Sequence, residues 1–181
     1  MAKYGIDYSF KVKMLNSRTR KYVKGFHCGN VAIDYYFRNQ AAADLTSVTY
    51  MFIDADTDLL MTCATIACSA IFTDGDDQPQ PSTLLSAMEI KYLATDEHYQ
   101  HIPYTNRSRT PSLSDVILDY MMTTMYKMSH SKIGASKIVL YSVPRAVAFY
   151  SRHGFKSFGD KMYGDKGDFL DGCQPMYFDM N

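Results

Sequence analysis

The sequence of 181 residues has no tryptophan, no low-complexity tract and no apolar run long enough to cross a bilayer. A membrane-spanning helix needs roughly 18 to 20 consecutive apolar residues, so we expect neither a transmembrane segment nor a membrane partner. The first residues also lack the apolar core of a secretory leader. These absences predict a soluble, cytoplasmic protein.

Cysteine is scarce and unpaired in the sequence. The four cysteines form no Cys-x-x-Cys pair, and in the absence of a leader we expect reduced thiols and no structural zinc. The pair His98-x-x-His101 has the spacing of metal ligands, but the sequence offers no third ligand with it. We therefore expect no metal.

The chain also has no excess of charge, since 19 basic residues balance 19 acidic ones. Nucleic-acid-binding domains usually carry a basic excess, so the composition does not favour tRNA or DNA as a partner. One stretch departs from this balance, because no acid lies between Asp7 and Asp34 while six basic residues do. A solvated basic surface is the ordinary explanation, and contact with phosphate is the alternative. The six residues are Lys11, Lys13, Arg18, Arg20, Lys21 and Lys24.

Composition and periodicity predict one folded domain over residues 1–181. Hydrophobic residues make up 46% of the chain and charged residues 21%, as in folded globular proteins. Alternating and helical patterns give the order strand, helix, hairpin, strand, helix, strand, helix, strand, strand, which is an α+β or mixed α/β plan. The predicted strands are 8–14, 48–53, 59–71, 86–95, 137–143, 156–162 and 174–180. The predicted helices are 31–46, one capped by Ser114 and Asp115 and running to Gly134, and one that begins at Pro144.

The most informative segment closes this third helix. It reads Ala146-x-x-Phe149-Tyr150-x-x-x-Gly154-Phe155, with a proline at the first turn and a glycine at the end. The segment resembles the closing helix of the GNAT acetyltransferase superfamily, in which a tyrosine faces the sulfur of an acyl-CoA. The resemblance implies a mostly antiparallel central sheet with helices on both faces. It also implies that two central strands splay to admit the pantetheine arm.

A second resemblance lies in the first helix. The sequence Phe26-x-Cys28-Gly29-Asn30-x-x-Ile33-Asp34-x-Tyr36-Phe37-Arg38-x-Gln40-Ala41 is similar to that helix in toxin-type GNAT proteins. Members of that group acetylate the amino group of aminoacyl-tRNA, so the resemblance implies tRNA as an alternative partner, and a homodimer is compatible with it. Plain packing of the helix against the sheet explains the same apolar residues.

The resemblance to GNAT proteins also implies where acetyl-CoA would bind. In that family a strand end resembling Leu-Ala-Val-Asp precedes a glycine-rich loop, whose backbone N–H groups and helix dipole hold the pyrophosphate. Here the loop has serines in place of the glycines, and Pro111 removes one donor. The implied cofactor-binding residues are Leu93, Ala94 and Thr95 at the strand end and Arg109, Thr110, Ser112, Leu113 and Ser114 in the loop.

The same resemblance implies Tyr150 as the general acid, because a phenol of pKa near 10 can donate a proton toward a departing thiolate. A core tyrosine is the alternative. Glu89 is the candidate base for the attacking amine, and a surface or paired carboxylate is the alternative. The other candidate bases are His98, His101 and His153.

The resemblance thus implies an N-acetyltransferase that transfers the acetyl group of acetyl-CoA to a primary amine by direct attack. It does not identify the acceptor amine. Two alternatives remain: a toxin-type GNAT protein that acetylates aminoacyl-tRNA, and a non-catalytic GNAT-like binding protein whose CoA site is degenerate.

Overall fold

The computed structural model describes residues 9–73, 83–100, 111–158 and 172–180. Over these residues it contains seven β-strands and three α-helices. The strands are β1 (Phe10–Met14), β2 (Ser47–Asp54), β3 (Leu60–Thr73), β4 (Thr83–Thr95), β5 (Lys137–Ser142), β6 (Lys156–Ser157) and β7 (Gln174–Asp179). The helices are α1 (Val31–Asn39), α2 (Leu113–Met128) and α3 (Val147–Arg152).

The strands form a mixed sheet in the order β1-β2-β3-β4-β5-β7-β6. The pairs β1–β2, β5–β7 and β6–β7 are antiparallel, whereas β4 and β5 are parallel. The ladder between β4 and β5 runs over four residue pairs, from Ala87 opposite Lys137 to Ile90 opposite Leu140. The predicted mixed, mostly antiparallel sheet is confirmed, and β4 continues beyond this ladder to Thr95.

The chain forms two compact units, the first of which contains residues up to Ile66 and the range Tyr92–Thr123. Its core lies under α1, where the fully buried Phe37 contacts the ring of Phe26 with centroids 5.4 Å apart. Met51 and Ile53 of β2 belong to the same cluster. Phe52 points to the opposite face, since side chains alternate along a strand, and its ring lies 5.4 Å from that of Tyr120 in α2. Helices therefore cover both faces of β2.

The second unit contains Ala67–Lys91 and the residues from Thr124 onward. Its central strand is β5, in which Ile138, Val139 and Leu140 are at most 1% exposed. Such a continuous apolar run is typical of a strand that is buried on both faces.

The helix predicted over 31–46 was wrong in its second half, because α1 ends at Asn39. The carboxylate of Asp44 accepts hydrogen bonds from the Thr46 N–H at 2.8 Å and from the Ser47 hydroxyl at 2.6 Å. An aspartate that captures its own following backbone in this way favours a turn over a helix. Leu45, which fits the helical spacing, is fully exposed.

Other boundaries also differ from the sequence predictions. Strand β6 covers Lys156–Ser157, and the rest of the predicted strand 156–162 lies mostly outside the described residues. Helix α2 begins at Leu113, and it is followed by a wider helical turn over Ser129–Ile133 that ends at Gly134 with a φ of 60°. Among the described residues, no helix is long and apolar enough to cross a membrane.

Candidate active site

Tyr150 lies on α3, which follows a single turn begun by Pro144 and ends before Gly154, a residue with a φ of 86°. The Tyr150 ring makes edge contacts with Phe149 at 5.0 Å and with Phe155 at 5.6 Å. Desolvation by these apolar neighbours raises the pKa of the phenol to about 12. The hydroxyl is therefore protonated near neutral pH, and within the described part of the chain no group hydrogen-bonds it.

Glu89 lies on β4 opposite Val139 of β5, and its side chain is partly buried. Burial raises the pKa of the Glu89 carboxyl, and the nearby charge of Lys91 opposes that rise. Two residues beyond Val139, Tyr141 shares the same sheet face. Burial raises the pKa of Tyr141, and the charge of Glu89 raises it further. The carboxyl group is therefore partly shielded from water and lies near a phenol on the neighbouring strand.

The end of β4 meets the start of α2 within the first unit. The hydroxyl of Thr95 lies 3.1 Å from that of Thr62 and 3.4 Å from that of Ser114. Ala94 faces the core under α1 and is buried, so alternation along the strand places Leu93 and Thr95 on the other face. The structure thus brings together Thr95 and Ser114, two of the predicted cofactor-binding residues.

The first turn of α2 is capped from within the chain. The Ser112 N–H and hydroxyl donate to the Asp115 carboxylate at 2.6 and 2.7 Å, and the Asp115 N–H donates to the Ser112 hydroxyl at 3.2 Å. This is a capping box, in which Ser112 is the cap in place of the predicted Ser114, and the predicted Asp115 is its partner. Leu113 is only 1% exposed, so its side chain belongs to the core and only its backbone N–H can meet a ligand. Arg109 and Thr110 lie outside the described residues.

The candidate bases His98 and His153 lie in different environments. His98 is 87% exposed, and both its backbone N–H and its Nδ1 bond the Asp96 carboxylate. The His153 ring packs on Phe149 with centroids 5.0 Å apart. His101 lies outside the described residues. In the described part of the chain no three His, Cys, Asp or Glu side chains are grouped to hold a metal.

Sequence reasoning missed one polar cluster in the first unit. His27 donates from Nδ1 to the buried Asp34 carboxylate, and its Nε2 lies 3.6 Å from Glu97. The sequence places Asp34 in a helix motif, and its spacing of seven residues from His27 is the one local signal that connects the two. Glu97 is seventy residues from His27, and no local pattern in the sequence connects the two.

Several solved structures of known proteins have a similar fold. No protein-family profile matches the chain, and no curated protein sequence matches it. Among solved structures, one described as a bacterial toxin has a TM-score of 0.72 and 19% sequence identity, over 96% of this chain and 92% of the toxin. AtaTR bound with AcCoA has a TM-score of 0.70 and 13% identity, over 94% of each chain. AtaT complexed with acetyl-methionyl-tRNAfMet has a TM-score of 0.68 and 13% identity, over 94% of this chain and 95% of AtaT. The chain therefore has the fold of these toxins, which is the GNAT-type fold that its closing-helix motif predicts.

Proposed function

We propose that this protein is an N-acetyltransferase that moves the acetyl group of acetyl-CoA onto a primary amine by direct attack. The amine nitrogen forms a bond to the thioester carbonyl carbon, the carbon–sulfur bond breaks, and the amine loses a proton while the thiolate gains one. The observation that carries the proposal is the Tyr150 hydroxyl, which is protonated, flanked by Phe149 and Phe155 and without a partner in the described part of the chain.

The raised pKa of Tyr150 defines what its hydroxyl does. A thiol of ordinary pKa near 8.5 is a stronger acid than a phenol of pKa about 12. Complete proton transfer from Tyr150 to a free thiolate is therefore unfavourable by more than three pKa units. The hydroxyl therefore acts chiefly by donating a hydrogen bond to the sulfur as its charge develops, and the thiolate takes its proton from solvent water after it departs. Such a donor in an apolar setting stabilises the transition state more than the ground state.

Glu89 is the proposed base. Because burial raises the pKa of its carboxyl, it binds a proton more readily than an exposed glutamate. It takes the proton of the attacking amine directly or through one water.

The donor would bind at the end of β4 and the start of α2. Because the β4–β5 ladder ends at Ile90, the backbone of Leu93, Ala94 and Thr95 is proposed to bond the pantetheine arm. The first-turn amides of α2, with the segment from Arg109 to Ser114, are proposed to hold the pyrophosphate. The fold of AtaTR, which is bound with AcCoA, supports this assignment.

Titration calorimetry with acetyl-CoA and a thiol-release assay with a panel of amines test the proposal together. Tyr150→Phe is expected to lower kcat by about a hundredfold or more, the size seen when one preorganised hydrogen-bond donor is removed, while the Kd for acetyl-CoA stays unchanged. Failure of the wild-type protein to bind acetyl-CoA would favour the non-catalytic alternative. Unchanged turnover in Tyr150→Phe would remove Tyr150 from the mechanism.

The second candidate acceptor is an aminoacyl-tRNA, and a charged surface favours it. Arg18, Lys21 and Lys24 are exposed, and none of the described residues forms an ion pair with them. Arg20 donates from its guanidinium to the Arg38 carbonyl at 3.0 and 3.2 Å, which holds a further cation beside them. AtaT, which shares the fold, is complexed with acetyl-methionyl-tRNAfMet.

Binding of tRNA as a function of salt separates this candidate from small amines. Each phosphate contact contributes about 0.9 to the slope of log K against log salt. Replacing Arg18, Lys21 and Lys24 by alanine is therefore expected to reduce that slope by roughly two to three and to leave acetyl-CoA binding unchanged. A slope that does not change in this variant would exclude the basic surface as the contact with RNA.

A further inference from the structure

Two segments distant in the sequence are joined beside the end of β4. One is the entry to α1, from Phe26 to Asn30, and the other is the exit from β4, from Asp96 to Gln100. The Glu97 N–H donates to the His27 carbonyl at 2.8 Å, and the His27 N–H donates to the Asp96 carboxylate at 2.9 Å. We call the group formed by His27, Asp34, Asp96, Glu97 and Gln100 the β4 clamp.

Gln100 connects the clamp directly to the last residue of β4. Its Nε2 donates to the Thr95 carbonyl at 2.6 Å and to the Cys28 carbonyl at 3.0 Å. The Asp96 N–H donates to the Met61 carbonyl at 2.8 Å, so β4 is also held from β3 at this point. One side chain thus fixes the strand end against the entry to α1.

His27 connects the two segments through charge. Its ring is half exposed and lies between the Asp34 carboxylate, which is only 4% exposed, and Glu97. The Asp34 carboxylate also accepts the Cys28 N–H at 2.8 Å and lies 3.7 Å from Arg38. A hydrogen bond to Asp34 and the charge of Glu97 raise the pKa of His27, while the charge of Arg38 lowers it.

The remaining ionisable groups at this place are already engaged. Asp96 bonds both the His27 N–H and His98. Burial raises the pKa of the Cys28 thiol to about 11, so this group is neutral near pH 7. Gly29, with a φ of 83°, leaves room for Glu97, because a Cβ there would lie 2.7 Å from the Glu97 Oε1. Among the members of the β4 clamp, His27 is the histidine, the residue type whose charge changes closest to neutral pH.

We propose that His27 and Gln100 are positioning residues, which hold the carboxyl end of β4 in place for the acyl donor, and that the hold weakens when His27 loses its proton. The proposal rests on the assignment of Leu93, Ala94 and Thr95 to the pantetheine arm under the proposed function. The physical argument is that a donor bonded by backbone groups needs that backbone fixed, because ordering it upon binding would cost affinity.

The test compares three variants of the full chain, His27→Gln, Gln100→Ala and the matched control His98→Gln. His98 also bonds Asp96 but does not connect the two segments. Hydrogen exchange gives protection factors for the amides from Leu93 to Gln100 at pH 6 and pH 9. Calorimetry gives the Kd for acetyl-CoA at the same two values.

The wild-type protein is expected to lose protection and acetyl-CoA affinity by about two- to fivefold between pH 6 and pH 9, the size expected for an exposed charge pair. His27→Gln should remove this pH dependence. Gln100→Ala should weaken both quantities by roughly tenfold at either pH, because two carbonyls lose their donor. His98→Gln should match the wild type.

The outcomes separate this inference from the proposed function. If hydrogen-exchange protection in His27→Gln and Gln100→Ala equals that of the wild type, the positioning role proposed for the two residues is wrong, whatever the calorimetry shows. If the wild type binds acetyl-CoA and the variants lose protection without losing affinity, the role in donor binding is overturned. If the wild type binds no acetyl-CoA, the proposed function fails, and the exchange rates alone decide whether His27 and Gln100 position β4.

Discussion

The capping box of α2 predicts that Asp115 weakens the acetyl-CoA binding that we propose. The Ser112 N–H that a pyrophosphate would use already donates to the Asp115 carboxylate at 2.6 Å. A phosphate at these amides must displace that carboxylate or bind beside it. We therefore expect Asp115→Asn to bind acetyl-CoA more tightly than the wild type, although it removes a favourable charge from the helix terminus.

The magnitude follows from Coulomb's law. Two like unit charges about 4 Å apart in water repel each other by roughly 1 kcal/mol. A pyrophosphate places two negative charges somewhat farther than that from the Asp115 carboxylate, so the total repulsion is similar. Since 1.4 kcal/mol is a factor of ten, the Kd should fall by about five- to tenfold at low salt. Loss of the charge near the helix N-terminus should cost about 0.3–1 kcal/mol of folding stability.

Titration calorimetry at low and high salt provides the assay, and thermal unfolding of the same samples gives the change in stability. The gain in affinity should shrink at high salt, because ions screen the repulsion. Asp119→Asn is the matched control, since one helical turn moves the carboxylate about 6 Å along the axis. Equal or weaker binding by Asp115→Asn, or an equal gain in Asp119→Asn, would refute the reasoning.

Three further predictions concern stability. Phe37→Ala should cost about 3–5 kcal/mol in urea unfolding, because Phe37 is fully buried against Phe26, and a loss below about 1 kcal/mol would contradict the assigned core. Gly134→Ala should cost about 1–2 kcal/mol of folding stability, and Gly154→Ala should cost more. Both glycines have a positive φ, but only at Gly154 would an added Cβ contact a ring, at 3.2 Å from Phe178. Equal losses of stability would show that the Phe178 ring moves aside. Burial opposes ionisation of Asp34, yet hydrogen bonds from Cys28 and His27 lower the pKa of its carboxyl below the ordinary value of 3.8. The ionised carboxylate therefore stabilises the fold above pH 4, and this contribution is lost as the pH falls through the lowered pKa. Acid unfolding of Asp34→Asn should therefore depend less on pH than that of the wild type, and identical acid profiles would contradict this.

Much of the fold could be predicted because its signals are local. The run 137–143 is apolar and β-branched, and it forms β5 over Lys137–Ser142. Asn30 caps α1 as its residue type suggests, with its side chain accepting the N–H groups of Ala32 and Ile33. The end of α1 was mispredicted because Asp44 forms its turn with Thr46, Ser47 and the Tyr36 hydroxyl at 2.9 Å, and that competition is decided by three-dimensional contacts.

The candidate site was less predictable because its parts meet across the fold. The sequence indicates Tyr150 through a motif, and it indicates Ser112 and Ser114 through alignment with a glycine-rich loop. It does not show that Ser112 is engaged by Asp115, because the same four residues could also leave the serine facing a ligand. His27 and Glu97 come together only when the end of β4 passes the entry to α1.

Net charge is an inadequate guide to the partner of this chain. The total is zero, but the electrostatic potential that a phosphate meets within a Debye length of about 8 to 10 Å is set by nearby charges. Near the turn Arg20–Val23, Asp34 is engaged by His27 and Arg38, and Asp58 lies 4.0 Å from Lys11. These two acids therefore pair with Lys11, His27 and Arg38, and Arg18, Lys21 and Lys24 stay available for the tRNA that we propose as the second candidate acceptor.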